Sequence, residues 1–429
     1  MKIAILGYGK EGQSAFRHWS KSSNEITIHD NDLNKNIPKG VASVLGPDAL
    51  MGLDNYGYQL LVRSPGLRIQ TSSIKTPITT PTNEFLQSCK APIIGVTGSK
   101  GKGTTATLVY KILRQAGITA HLLGNIGTPA LDELQNIKSS DVVIYEMSSF
   151  QLYDVDSSPQ VAVCLMVTQD HLDWHDDLAE YQNSKGNIFK FQKPDNVAIY
   201  YADNKVSQQL ALLSAAETKY SYGSTADVCV KDGTIVAFGQ KIVSVSDIAL
   251  PGVHNLQNMC AAIAACWVYT QDIKAIRQVL STFTGLPYHI ELVAERNGIK
   301  YYNDSFSANP TSTIAAIKCF TQPQVLFLGG YDKKTQFDDL AEEVSKQDFR
   351  AIITYGQTGK NIAKDLSKKN VKNVNYMSGN NFEQIIAAGL LKAQRGDVVV
   401  FSPGCSSFDM FSDYIQRGLA FNKIVEGAG

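Results

Sequence analysis

Gly95-Val-Thr-Gly-Ser-Lys-Gly-Lys-Gly-Thr-Thr105 reads as a phosphate cradle set between a strand and a helix. The apolar run Ala91 to Val96 leads into it as a buried strand. Beyond it Val109, Ile112, Leu113 and Ala116 recur at helical spacing, and Gly117 can end that helix. Gly98 and Gly101 let backbone N–H groups turn inward around phosphate oxygens, with Ser99 and Lys100 between them. The helix N-terminus adds partial positive charge, and Lys102 adds a full one. The next residue in such a loop is ordinarily Ser or Thr, whose hydroxyl helps hold Mg²⁺. Here it is Gly103, which leaves Thr104 as the candidate for that role. Strand, glycine turn and helix in this order predict an α/β fold with a nucleoside triphosphate site.

A chain of 429 residues is too long for one core and predicts about two to four domains. Lys plus Arg and Asp plus Glu are equal at 40 each, so no global field points to nucleic acid or to an anionic membrane. No apolar run approaches membrane-spanning length and no charged-then-apolar leader opens the chain, which points to the cytoplasm. The seven cysteines lie far apart without a C-x-x-C pair, as expected of free thiols in a reducing compartment.

Three segments organise the chain: 1–89, 90–284 and 285–429. In the first, the strand Lys2 to Leu6 runs into Gly7-Tyr-Gly9-Lys-Glu-Gly12. A second strand, Glu25 to His29, ends at Asp30, 18 positions beyond the last glycine. That spacing is a dinucleotide pattern, and a lone match is weak support for NAD. A third strand, Gln59 to Arg63, ends in Ser64-Pro-Gly66. In the second segment Asp141 to Tyr145 ends at Glu146, and Val161 to Val167 ends at Thr168-Gln-Asp-His-Leu-Asp173. Residues 219 to 250 read as a small antiparallel excursion, and Val253 to Asn258 opens an alanine-rich helix. The last segment alternates again, with buried strands at Val325–Gly330, Ala351–Gly356 and Val398–Gly404.

Glu146, at a strand end beyond the cradle, suits Mg²⁺ bridging phosphates, against the plainer reading of a capping acid. His171 and His175 stand four apart, as zinc ligands on a helix would, but nothing completes such a site and His175 reads as a surface residue. Lys185 reads as a solvated helix lysine. Asp304 follows the strand Lys300 to Asn303 and could reach a ribose or a metal, or only shape a turn.

Taken in order, these motifs resemble the Mur ligase family, the ATP-dependent amino-acid ligases of bacterial cell-wall precursor synthesis. The pieces that carry the resemblance are Thr97-Gly-Ser-Lys-Gly-Lys102, Glu146-Met-Ser-Ser-Phe-Gln-Leu152, Thr168 to Asp173, His254-Asn255, Gly285-Leu-Pro287, Asn303-Asp-Ser305 and Ser402-Pro-Gly-Cys-Ser-Ser407. The resemblance implies three α/β domains: a Rossmann-like N-terminal domain for a UDP-substrate, a central P-loop ATPase domain, and a C-terminal Rossmann-like domain for an amino acid. It reassigns the first glycine turn from dinucleotide to UDP-sugar. It implies Lys10 and Glu11 near the diphosphate, Asp30 near uracil, and Ser64, Gly66, Asn125 and His171 beside the same substrate. Lys102 would bind phosphate, Asn258 would lie near adenine, and Asp304 near the ribose or phosphates of ATP. Thr104, Glu146, His171 and Lys185, the last as a CO₂-derived carbamate, would serve two Mg²⁺ ions.

The reaction so implied adds D-glutamate to UDP-N-acetylmuramoyl-L-alanine through an acyl phosphate, in a cytoplasmic monomer without nucleic-acid or membrane partners. At the amino-acid site the chain departs from the family pattern. Phe306 stands where a lysine is usual, Ala308 where a threonine is usual, and His289 where an arginine is usual. Lys333, Ser407, Phe408 and Tyr414 keep the expected pattern. Another amino acid, such as L-glutamate, and a non-catalytic nucleotide-binding relative remain as alternatives. An NAD-dependent oxidoreductase would leave the phosphate loop unexplained.

Overall fold

A computed structural model describes residues 1–69, 73–333, 335–379 and 381–427. It divides into two compact units, Met1–Asp247 with Gln257–Leu280, and Ile248–Leu256 with Ser281–Gly429. Three sheets run through them, each an α/β layer, so the chain has three sheet-containing α/β domains.

Within the first unit, β1 (Lys2–Leu6), β2 (Glu25–Asp30), β3 (Ala42–Leu45), β4 (Leu60–Arg63) and β5 (Ile78–Thr79) form a parallel sheet in the order β3-β2-β1-β4-β5. The chain moves outward from β1 on one side and returns on the other. The crevice beyond the ends of β1 and β4 is therefore a switch point, where open α/β sheets bind ligands. Both of its turns carry the glycines that the sequence singled out. Gly7 has a left-handed backbone, φ +83°. Gly12 sits so close beneath the turn that a Cβ there would collide with the Gly7 carbonyl and lie 3.0 Å from Ser64 Oγ.

The second sheet comprises β6 (Ile93–Thr97), β7 (Ala120–Gly124), β8 (Val142–Glu146), β9 (Val161–Cys164), β10 (Val197–Tyr201), β11 (Thr218–Tyr222), β12 (Val228–Lys231), β13 (Thr234–Ala237) and β14 (Gln240–Ser244). Its order is β14-β13-β12-β11-β10-β9-β6-β8-β7, and it is parallel from β7 through β12. Only the β12–β13 and β13–β14 pairs are antiparallel, so the excursion expected over 219 to 250 is shorter than its reading, and Thr218–Tyr222 extends the parallel core. The strand read over Val161 to Val167 closes at Cys164, because Leu165 and Met166 turn to hydrogen-bond the phosphate loop at Thr97 O (2.8 Å) and Ser99 N (2.9 Å). Strands β6 and β9 flank the second switch point. Ile3, Ile5 and Val62 of the first sheet join Phe85, Ile93 and Tyr145 in one apolar cluster within this unit.

The second unit holds β15 (Glu291–Arg296), β16 (Ile299–Asn303), β17 (Gln324–Gly329), β18 (Phe349–Tyr355), β19 (Val374–Tyr376) and β20 (Val398–Phe401) in the order β15-β16-β20-β17-β18-β19. All pairs are parallel except the β15–β16 hairpin. Apolar clusters cover the sheet, one around Leu326, Ile352 and Val400 and one around Phe327, Ile353 and Phe401. All seven cysteines are free thiols. Among the described residues no helix is long and apolar enough to cross a membrane.

Gly12→Ala should lower the stability of the first unit by about 1–3 kcal/mol through this overpacking. Gly9→Ala, whose Cβ would meet nothing within 4 Å, should cost less than about 1 kcal/mol, the scale of a helix N-cap exchange. Denaturant midpoints of the two variants check the contrast.

Candidate active site

Strand β6 delivers Thr97 to the phosphate loop, and the helix Lys102–Gln115 begins where the loop ends. Gly98 (φ +153°) and Gly101 (φ +85°) occupy backbone conformations that favour glycine. A Cβ at Gly98 would press on Leu165, and one at Gly101 would collide with the Asn258 side chain, which places Asn258 beside the loop. Ser99 is the pin of this turn. Its hydroxyl donates to Thr168 O at 2.9 Å, accepts from Thr168 N at 2.9 Å, and meets Tyr181 OH at 2.7 Å. Lys100, exposed, pairs with Asp170 at 3.3 Å. Gly103 and Thr104 fall in the first turn of the helix, where Thr104 is half-buried.

Lys102 folds back on its own loop, donating to Gly98 O at 3.0 Å and Ser99 O at 3.2 Å. Lys185 reaches the same carbonyl from the helix Leu178–Lys190, donating to Gly98 O at 2.9 Å and lying 4.8 Å from the Tyr181 ring centre. The reading of Lys185 as a solvated lysine is overturned: it is 1% exposed. Burial, and then the neighbouring Lys102 charge, bring its pKa down to about 7. Burial also lowers Lys102, with the Glu146 carboxylate opposing. A buried amine without a paired carboxylate favours its neutral form.

Glu146 ends β8, is 5% exposed, and accepts from Asn125 Nδ2 at 3.0 Å. His171 has a left-handed backbone, φ +53°, and packs its half-exposed ring on Phe150 with centres 4.9 Å apart. Burial lowers its pKa; Asp170 opposes this, and Lys102 and Lys185 add to it. His175 is not at the surface. It lies 2% exposed, with Nε2 3.0 Å from Ser149 Oγ and Nδ1 3.3 Å from Glu180. His171 and His175 belong to a turn rather than a helix, so they do not share a helical face.

A cavity of about 430 Å³ opens at the first switch point, lined by Gly7, Lys10, Glu11, Asp30, Ser64, Gly66 and Asn125 among others. The sequence-derived UDP-side residues are thus gathered at one place, apart from His171. Asp30 accepts from Tyr8 N at 2.7 Å, and Ser64 Oγ donates to Gly7 O at 2.6 Å. Burial, reinforced by Asp132, pushes the Glu11 carboxyl up to about 7. Phe150 and Gln151 also line the cavity and were not singled out for it. Their place in the Glu146–Leu152 motif was the available signal.

Asp304 lies in the second unit, 4% exposed at the end of β16. It accepts from Ser402 Oγ at 2.6 Å and Ile290 N at 3.2 Å, and burial raises its pKa to about 7. Phe306, half-exposed, stacks on His289 with ring centres 3.9 Å apart and meets Tyr414 edge-on at 5.2 Å. Lys333 is exposed and stands 5.7 Å from the Phe408 ring centre. Ser407 is buried and Ala308 half-buried.

Residues 96–266 match the Mur ligase middle domain, and residues 290–405 match the Mur ligase, glutamate ligase domain. The UDP-N-acetylmuramoylalanine–D-glutamate ligase of Acetivibrio thermocellus is 34% identical, with 99% of this chain and 96% of that protein aligned. The chain belongs to the Mur ligase family. Clostridium kluyveri has a relative of the same name, 36% identical over 99% of this chain and 96% of its own length. Mur ligases are ATP-dependent enzymes that form amide bonds, and this chain is one of them. The fold is shared with the MurF ligase of Thermotoga maritima in complex with ADP, at TM-score 0.62 and 17% identity over 100% of this chain and 95% of that one. The UDP-N-acetylmuramate-alanine ligase of the same organism has TM-score 0.63 and 16% identity, with both chains fully covered.

An ordinary lysine titrates near 10.5, whereas Lys185 in the folded chain titrates near 7. Between those values the unfolded chain holds a proton that the folded one lacks, so stability rises with pH across the window. In CO₂-free buffer, Lys185→Met should therefore melt higher than the parent at pH 7, and the difference should shrink towards pH 10. Melting temperatures at both pH values check this.

Proposed function

We propose that this Mur ligase adds D-glutamate to UDP-N-acetylmuramoyl-L-alanine in peptidoglycan precursor synthesis, as a cytoplasmic monomer whose domains divide near residues 89 and 284. The observation that carries the reading is the 430 Å³ cavity with its two glycine turns, Lys10 and Asn125, together with the phosphate loop in the same unit. The names borne by relatives aligned along 99% of the chain add the substrate identities. Lys10 supplies charge to the diphosphate, Asp30 an acceptor to uracil, and Ser64, Gly66 and Asn125 the remaining polar wall. Glu11, held near neutrality by burial, repels the diphosphate less than an ordinary carboxylate would.

In this reading the muramoyl carboxylate attacks the γ-phosphate of ATP, giving an acyl phosphate and ADP. The amino-acid amine then attacks the acyl carbon, and phosphate leaves. Both steps crowd negative charge, which Lys102 and the loop amides are arranged to meet. Lys100 and Ser99 fix the loop, Asn258 borders the adenine, and Asp304 serves the ribose or phosphates.

The donors present fit Mg²⁺. Glu146 and Thr104 offer hard oxygens, and this ion is usually held by one or two carboxylates with substrate phosphates and water. No cage of three acids is then needed, and none occurs among the described residues. Thr104, Glu146, His171 and a Lys185 carbamate would hold it, and it would supply Lewis-acid neutralisation of the phosphate oxygens. Lys185 meets the requirement for carbamate formation: a neutral amine adds CO₂ and releases one proton.

For the amino acid, Lys333 is the cation for the side-chain carboxylate, with Ser407, Phe408 and Tyr414 as its neutral surroundings beside Phe306 and Ala308. A second reading, the same chemistry with L-glutamate or another amino acid, is favoured by one observation. Phe306 stacks on His289, where the family usually supplies two cations.

Phosphate release from Mg-ATP and UDP-N-acetylmuramoyl-L-alanine should require D-glutamate in a panel of D- and L-amino acids. Release with a different amino acid would replace D-glutamate in this reading, and release with none would refute it. Lys185→Ala should abolish turnover, and bicarbonate or a small carboxylic acid should restore part of it. Phe306→Lys should lower the glutamate KM roughly tenfold, the scale of one charge-assisted contact, and leave the ATP KM unchanged.

A further inference from the structure

Arg63, at the end of β4, is 1% exposed and is not among the residues lining the 430 Å³ cavity. Its Nε and Nη2 donate to the two oxygens of Asp154 at 2.7 and 2.6 Å. Nη2 also donates to Phe150 O at 3.2 Å. Nη1 reaches Leu67 O at 2.7 Å, Pro65 O at 3.0 Å and Ser64 O at 3.3 Å. All five N–H donors of the guanidinium are thereby used in one fixed fork. Asp154 is itself held in place, since Asn83 Nδ2 donates to its carbonyl at 3.0 Å.

The partners fall on two segments that the chain separates by more than eighty residues. Ser64, Pro65 and Leu67 belong to one turn lining the cavity, and Phe150 lies in the helix Ser149–Leu152, which lines it as well. Trp174 Nε1 adds a tether from outside, donating to Gly66 O at 3.1 Å. Trp174 stands three residues beyond His171, and both rings pack on Phe150.

We infer that Arg63, with Asp154 as its counter-ion, is a positioning residue that sets the shape of this cavity by holding the Ser64–Leu67 turn and the Ser149–Leu152 helix in one arrangement. The inference rests on the reading of the cavity as the UDP-substrate site. The turn's carbonyls are drawn to the guanidinium, so its backbone is fixed before any ligand arrives, and binding need not order it. A lysine would keep the charge but has a single point of donation, and could not satisfy both segments. Asp154→Asn keeps the shape of the counter-ion and removes its charge, leaving the guanidinium buried without its partner.

The test is calorimetric titration of the full chain with UDP-N-acetylmuramoyl-L-alanine and, separately, with Mg-ATP, for the parent, Arg63→Lys and Asp154→Asn, alongside melting temperatures. The expected result is at least a tenfold loss of UDP-substrate affinity in both variants, with Mg-ATP affinity held within threefold. Equal UDP-substrate affinity in parent and variants overturns the inference. Parallel loss of both affinities with a lowered melting temperature overturns it too, because that is the signature of a purely structural residue. A parent that binds Mg-ATP but not the UDP compound refutes instead the reading of the cavity.

Discussion

The Gly98 carbonyl takes hydrogen bonds from two lysines, Lys102 at 3.0 Å and Lys185 at 2.9 Å, and the character of the active site follows from holding two amines at one acceptor. Two ammonium ions that close, in a site removed from water, repel strongly, and burial penalises each of them separately. The tension resolves towards the deeper group, so Lys185 approaches neutrality near pH 7. On the proposed reading, a polyphosphate at this loop would relieve the same tension by bringing opposite charge to Lys102. Two amines held at one acceptor therefore favour an anion beside them, and one amine is left chemically reactive.

Backbone geometry puts this pair where it is. Strand β6 is an interior strand of its sheet, flanked by β8 and β9, and the chain leaves its end through Gly98 and Gly101. Ser99 then ties the loop to Thr168 and Tyr181, so the loop, the segment leading to His171 and the helix bearing Lys185 share one hydrogen-bonded joint. The first sheet repeats the logic with different chemistry. Its switch point lies between β1 and β4, Gly12 allows the helix Lys10–Trp19 to close on the turn, and Arg63 secures the opposite loop. A ligand at either crevice meets polar backbone that is already oriented.

Much of this was legible in the residues. The phosphate loop, the glycine turn ending in Gly12, Ser64-Pro-Gly66 and the strand leading to Glu146 are local patterns, and local patterns survive without tertiary context. Apart from the resemblance, Lys185 reads as solvated because its type is weighed before its face. Tyr181, Lys185, Ile188 and Phe189 follow helical spacing and are all buried, so the periodicity already placed Lys185 inward. His175 was misplaced for a different reason: its burial depends on Ser149 and Glu180, which belong to separate elements. Strands β3 and β7 lie at sheet edges, with Ala42 and Ser43 exposed and His121 half-buried, so their apolar signal is too weak to read. The parallel addition of β11 could not be told from a hairpin, since both alternate in the same way.

On the proposed reading the second unit is the place where amino-acid specificity would be decided, and its electrostatics are unlike those of the first. Where the phosphate loop concentrates positive charge, the surroundings of Phe306 are aromatic, with the ring stacked on His289 and set edge-on to Tyr414. Burial lowers the His289 pKa, so this histidine is a poor substitute for a permanent cation at neutral pH. In the proposed amino-acid site the charge offered to a side-chain carboxylate would be that of Lys333, exposed and leaning on Phe408. A single flexible ammonium attracts a carboxylate without fixing its direction, because it is a point charge on a rotatable stem. On that reading, discrimination between mirror-image amino acids would come from neutral, better-anchored groups. Ser407 is buried, and the Tyr414 carbonyl is held by Ser305 Oγ at 2.8 Å, so rigidity beside Phe306 resides in hydrogen-bonded backbone rather than in charge.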